Sequence, residues 1–204
     1  MIEHGVEQGT EEWQELRIGS IGGSSISKAV AKGEGKQRTQ LMYDLVGELL
    51  SGQKKQGYTN SFMEEGTKHE PRARELYSFI KGVEVQQTGV IKLTDHYHYS
   101  PDGIVDPGGL IEIKTVIPSV YVELLATKKI PTGYRRQMSW GLFVTGRGWC
   151  DYCAYCPYVE EKAEVSPLHI IHVERDEKEI AFLRDGADKF VEEMLALYDK
   201  VRAA

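Results

Sequence analysis

Cysteine is scarce, three residues in 204, too few for a disulfide framework. The three fall together as Cys150, Cys153 and Cys156, a spacing that invites a zinc or iron–sulfur reading. No fourth ligand stands nearby, and Trp149 to Tyr158 alternates like a strand, which turns Cys153 away from Cys150 and Cys156. Packing cysteines in a reducing cytoplasm are therefore expected. Long apolar runs are missing too: none approaches the roughly 20 residues of a membrane span, and no signal-peptide pattern opens the chain. A membrane is not an expected partner. An excess of basic residues is also lacking, with 25 Lys and Arg against 31 Asp and Glu and a net charge of −6, which on its face opposes nucleic-acid binding. The distribution matters more than the sum. Arg17 to Arg38 holds five bases and one acid, Lys128 to Arg147 five bases and no acid, and Glu160 to Lys200 twelve acids and six bases. Basic tracts beside an acidic tail allow a phosphate-binding groove on an acidic protein.

What is present centres on Ser100 to Lys114. Asp102 lies between a proline and a glycine, at a bend where a side chain can be aimed. Asp106-Pro107-Gly108-Gly109 is a turn by composition. After it, Leu110 to Lys114 alternates, so Ile111 and Ile113 share one face and Glu112 and Lys114 the other. Pairing across the turn would bring Asp102 near Glu112. Two carboxylates with no other task repel each other, and a divalent cation is the usual remedy; Mg²⁺ takes one or two carboxylates and completes its shell with water and phosphate oxygens. Lys114, on the same face, could hold or help deprotonate an attacking water. A bare Glu-x-Lys on a strand would more simply be a solvated surface, but the upstream Asp102 tips the balance toward a metal site.

The 204 residues fit one domain with a full core. Thr10 to Arg17 reads as a short capped helix. A glycine-serine turn then leads into a second helix, Ser24 to Ala31, whose start near Arg17 suits a phosphate as well as ordinary capping does. Thr39 to Ser51 carries Leu41, Leu45, Val46, Leu49 and Leu50 on one face. Gln53 to Thr59 reads as a loop. Asn60 to Lys81 is helical in period, with Pro71 expected to bend or restart it and leave Glu70 at a break, where it could lean over a metal site. Val83 to Leu93 and Tyr97 to Ser100 read as strands, Val116 to Ala126 and Tyr134 to Val144 as helices, and Trp149 to Tyr158 and Leu168 to Val173 as further strands. A capping box at Asp176 to Glu179 opens a last helix with Ile180, Leu183, Ala187, Phe190, Met194, Leu197 and Val201 at helical spacing.

Taken together, Trp13 with Leu16-Arg17-Ile18-Gly19 and Ser24, Gly66-x₃-Glu70, Ser100-Pro101-Asp102-Gly103, Glu112-Ile113-Lys114 and Gln137 resemble the phage lambda-type 5′→3′ exonucleases. These are viral recombinase nucleases of the restriction-endonuclease-like superfamily, and the match spans nearly the whole chain in order. The resemblance implies an α/β fold with a central mixed β-sheet flanked by helices. It implies Asp102 and Glu112 as metal-binding carboxylates, the Ile113 carbonyl as a further ligand, Glu70 acting on a second metal through water, Lys114 as the catalytic lysine and Gln137 as a positioner of the nucleophile. Arg17 and Ser24 would bind a terminal 5′-phosphate, and Met63 would wedge between the last base pairs. The family's arginine after Glu-x-Lys is replaced here by Pro118-Ser119-Val120, so that Lys128, Lys129, Arg135 or Arg136 would have to substitute. The implied activity is a Mg²⁺-dependent (or Mn²⁺-dependent) two-metal digestion of duplex DNA from 5′ ends. A homotrimeric ring, a single-strand annealing partner and the cytoplasm of a bacterial host go with it. A structure-specific or restriction-type endonuclease, or a non-catalytic end-binding subunit, are the alternatives.

Overall fold

The structure, a computed structural model, describes residues 1–33, 35–55, 61–162 and 164–204, without the side chains of residues 61–65. Asn60 and most of the expected 53–59 loop thus lie outside the described residues, as does the side chain of Met63. The middle of the fold is the hairpin expected from Ser100 to Lys114. β4 (Gly103–Val105) pairs antiparallel with β5 (Gly109–Thr115), Gly103 opposite Ile111. The turn between them contains a cis Asp106–Pro107 bond and Gly108 at φ +74, a conformation that glycine alone adopts without a Cβ penalty.

From β5 the chain crosses over through α5 (Pro118–Thr127) and α6 (Thr132–Thr145) to β6 (Trp149–Tyr155), which lies parallel to β5. A parallel neighbour requires such a crossover. β7 (Leu168–Glu174) then adds antiparallel to β6, completing a mixed sheet of order β4-β5-β6-β7. A second, antiparallel sheet is made of β1 (Ile2–His4), β2 (Val90–Thr94) and β3 (Tyr97–Tyr99). β5 is buried on both faces. Leu110 joins the larger core with the helices α2 (Gly23–Ala29), α3 (Lys36–Ser51), α6 and α7 (Glu177–Arg202). Ile111 and Ile113 join a smaller core with Ala73 and Tyr77 of α4 (Ser61–Lys81). Glu112 shares the face of Leu110 and is fully buried, so the alternation in β5 separates two interiors rather than an interior from water.

Several expectations need correction. The strand expected over Val83 to Leu93 starts only at Val90. Before it, the chain crosses between the sheets, touching β4 through the single Gln86–Ile104 bridge. α4 runs unbroken through Pro71, its second half held by the burial of Ala73 and Tyr77, so Glu70 sits inside a helix and not at a break. β6 stops at Tyr155, and Pro157–Lys162 form a 3₁₀ turn. Leu50 and Val201, read as parts of apolar faces, are exposed. The cysteines behave as expected: all three are free and buried, Cys153 in the smaller core and Cys150 and Cys156 in the larger. Among the described residues no helix is long and apolar enough to cross a membrane.

Two glycines let the layers close over the centre. A Cβ at Gly141 of α6 would lie 2.5 Å from Cζ of Tyr99, and one at Gly23 of α2 would lie 2.8 Å from the same ring. Tyr99 is 1 % exposed and cannot step aside. Gly141→Ala is expected to destabilise the protein by about 1–3 kcal/mol, the usual cost of overpacking a tight core, seen as a lower midpoint of thermal unfolding. An unchanged midpoint would mean that the ring is not confined.

Candidate active site

The hairpin places two carboxylates side by side. Asp102 immediately precedes β4, and its Oδ2 accepts a 2.6 Å hydrogen bond from the backbone N–H of Ile113. The neighbouring Glu112 is gripped from three elements. Tyr99 of β3 donates its hydroxyl to Oε2 at 2.7 Å, Gln137 of α6 donates Nε2 to Oε1 at 2.6 Å, and the Lys114 ammonium lies 2.5 Å from the same Oε1. Burying a carboxylate is costly unless it is paired and hydrogen-bonded, and this one is both. Lys114 also lies over the Tyr134 ring, which stacks on Tyr152. Burial opposes the lysine's charge, but the Glu112 and Asp102 carboxylates outweigh it and raise its pKa.

Asp102 is not compensated in this way. Burial first, then the Glu112 charge, pushes its carboxyl up to about 8, against the pull of Lys114 and the Ile113 N–H. Glu70 faces the same centre from α4. Its carboxyl is also raised, by burial first, with Arg74 and Lys114 opposing and Glu112 adding to the rise. Arg74 donates Nε to the Asp102 carbonyl at 3.0 Å and lies 4.0 Å from Glu70. Acids outnumber close bases, and the surplus rests on Asp102, beside a cleft of about 490 Å³ lined by Gln8, Glu70, Arg74, Thr88 and Asp102. Among the described residues no three His, Cys, Asp or Glu side chains gather closely enough to hold a metal by themselves. A hard divalent cation that takes one or two carboxylates and otherwise water or phosphate suits such a pair. Tyr99, Arg74 and Tyr134 carry no signal of their place here in the sequence. Tyr99 reads as one more strand residue and Arg74 as one more surface base, and only the fold brings them to the acids.

A second cluster forms at Arg17. Thr10 caps α1 (Glu11–Glu15) by accepting from the Trp13 N–H. The Arg17 guanidinium lies 3.7 Å over the Trp13 ring, a cation–π contact, and its Nε donates to His98 Nε2 at 3.2 Å. Trp13 in turn donates its indole N–H to Ser100 Oγ at 3.0 Å and to the Gly89 carbonyl at 3.2 Å, tying this patch to the segment that carries Asp102. Burial lowers the Arg17 pKa to about 10, with Glu48 opposing, so the guanidinium stays charged near neutrality. Glu48, 4 % exposed, accepts from the Gly19 N–H, the Lys55 N–H and Lys54 Nζ, while Lys54 also donates to the Arg17 carbonyl. In the sequence Glu48 stands between apolar positions with nothing to mark it as buried.

The remaining candidates separate. α2 begins at Gly23 rather than Ser24, and the hydroxyl that closes its first turn on Gly22 is that of Ser25. Ser24 stays exposed in that turn. Arg135 is exposed and lines a groove with Lys128 and Lys129. Arg136 turns to α7 instead, with Nε 3.5 Å from a Glu179 carboxylate oxygen and the guanidinium over the Phe182 ring.

Comparison with known proteins points to nucleases. No curated protein matches the chain. The alkaline exonuclease LHK-Exo from Laribacter hongkongensis has a structure similar to this one, with 29% identity and a TM-score of 0.86, over 95% of this chain and 97% of that one. The same enzyme in complex with dAMP gives 30% identity and a TM-score of 0.87 over the same shares. A phage related exonuclease from Haemophilus somnus 129PT, at 12% identity and a TM-score of 0.64 over 87% of this chain and 95% of that one, shares the fold. The mixed α/β architecture is thus that of known nucleases. The YqaJ-like viral recombinase domain matches residues 12–148, a span that starts beside Trp13 and Arg17 and includes both carboxylates, Lys114 and Gln137. With more than half of its length matched, the chain belongs to the YqaJ-like viral recombinase domain family.

Proposed function

We propose that this protein is a Mg²⁺-dependent 5′→3′ exonuclease of double-stranded DNA, releasing 5′-mononucleotides and leaving 3′ single strands for recombination by strand annealing. The observation that carries the reading is the buried Glu112, held by Tyr99, Gln137 and Lys114 beside an uncompensated Asp102. Kinship with an exonuclease that has been crystallised with a mononucleotide supports it. Asp102, Glu112 and the Ile113 carbonyl would hold one ion, and Glu70 would help hold a second through water. Bound there, Mg²⁺ supplies the positive charge that favours an ionised nucleophile and stabilises the leaving oxygen. The chain's own residues do the rest. Gln137 and Lys114 orient the attacking water and the phosphate oxygens, and Tyr99 keeps the Glu112 carboxylate from turning. Water attacks phosphorus and the 3′ oxygen leaves, so the shortened strand carries a new 5′-phosphate. A ring of three copies around the duplex and an annealing protein that receives the 3′ strand complete the proposal.

Asp102→Ala or Glu112→Ala is expected to abolish cleavage of linear duplex, while binding to the same duplex in Ca²⁺ persists. Mg²⁺-dependent turnover near the wild-type rate in either variant would contradict the assignment.

Polarity comes from the Arg17 patch. A guanidinium fork with Ser24 a short turn away suits a dianionic terminal phosphate better than an internal monoanionic one. Losing one charge-assisted contact of about 1.5–3 kcal/mol corresponds to roughly ten- to hundredfold. Arg17→Ala should therefore erase most of the rate preference for 5′-phosphorylated over 5′-hydroxyl duplex. A preference equal to that of the wild type would show that the phosphate is bound elsewhere.

A further inference from the structure

The Arg17 guanidinium is bonded through Nε to a buried histidine, His98. An arginine Nε is always a donor, so His98 Nε2 must accept, and the ring proton therefore sits on Nδ1. Nδ1–H then donates to Ser20 Oγ at 2.7 Å, and the Ser20 hydroxyl donates to the Arg17 carbonyl at 2.8 Å. The chain of bonds closes on the residue where it began. His98 is 3 % exposed, and Gly22 makes room for it, since a Cβ there would meet Nε2 at 2.4 Å. Burial first, then the charges of Arg17, Lys54 and Lys92, holds the imidazole well below its ordinary pKa, hence neutral and able to accept. With Nε bonded to His98 and the guanidinium carbon 3.7 Å over the Trp13 ring, the two terminal nitrogens of Arg17 make no hydrogen bond among the described residues.

We propose that His98 is a positioning residue that fixes the Nε edge of Arg17 and presents its two terminal nitrogens, end-on, to the terminal 5′-phosphate of a DNA strand. This rests on the reading of Arg17 as the phosphate contact. A guanidinium already fixed in plane and edge loses less freedom when the phosphate arrives.

Two polar variants separate the role of His98 from mere packing. In His98→Gln the side-chain oxygen reaches the place of Nε2 and can still accept from Arg17. In His98→Asn the amide reaches only the place of Nδ1, keeping Ser20 and losing Arg17. The measurement is the ratio of initial rates on 5′-phosphorylated and 5′-hydroxyl duplex, which cancels any general loss of activity. His98→Asn is expected to lower the ratio roughly three- to tenfold, the effect of one side chain that must be ordered on binding, and His98→Gln to stay near the wild type. A wild-type ratio in His98→Asn, or an equal loss in both variants, overturns the proposal. If Arg17→Ala also leaves the ratio unchanged, the phosphate reading falls with it; if only Arg17→Ala lowers it, the role of His98 alone is refuted. Nitrogen NMR of the wild-type protein needs no variant to fold: it should report a neutral His98 protonated on Nδ1, and the opposite tautomer overturns the proposal.

Discussion

The structure depends on one buried carboxylate. Glu112 has no contact with solvent, and an ionised carboxylate in that position costs several kcal/mol unless its oxygens are satisfied. They are satisfied by groups from three elements: the Tyr99 hydroxyl from β3, the Gln137 amide from α6 and the Lys114 ammonium from β5. Removing one partner would leave a buried charge short of a bond, so the acid locks the second sheet and α6 onto the first. Gly23 and Gly141 are part of the same constraint, because the Tyr99 ring that delivers the hydroxyl occupies the volume their side chains would need.

Glu112 is compensated by Lys114, while Asp102 beside it is not. A few residues away along the same segment, Ser100 accepts the Trp13 indole N–H, and Trp13 carries the Arg17 guanidinium on its face. The acid pair and the Arg17 guanidinium are thereby tied to one segment of the chain. Of the acids behind the net charge of −6, twelve stand between Glu160 and Lys200, mostly along or beside α7.

The parts that are legible in sequence are those whose cause is local. The turn at Asp106 to Gly109 announces a hairpin, the hairpin sets the register, and the register alone brings Asp102 to Glu112. Thr10 and Asp176 cap their helices because capping involves only the next two or three residues. What stays hidden needs contacts far along the chain. Tyr99, His98 and Glu48 look like ordinary strand or helix residues, and their roles arise from partners 13, 81 and 29 positions away. Two local signals mislead for the same reason. The proline at position 71 does not break α4, because tertiary burial of Ala73 and Tyr77 outweighs one missing backbone bond. The apolar pattern from Val83 does not make a strand until Val90, because the segment must pass from one sheet to the other.

The claim that this acid pair is a cation site can be tested without substrate. A ligand bound only by the folded state raises the unfolding midpoint by mass action. Thermal unfolding should be followed in chelator and in millimolar Mn²⁺ or Ca²⁺, for the wild type and for Asp102→Asn, which keeps the shape and removes the carboxylate that a bound ion would hold ionised. The expected result is a midpoint that rises with the ion in the wild type and barely moves in the variant. Equal shifts in both proteins, or none in the wild type, would contradict it.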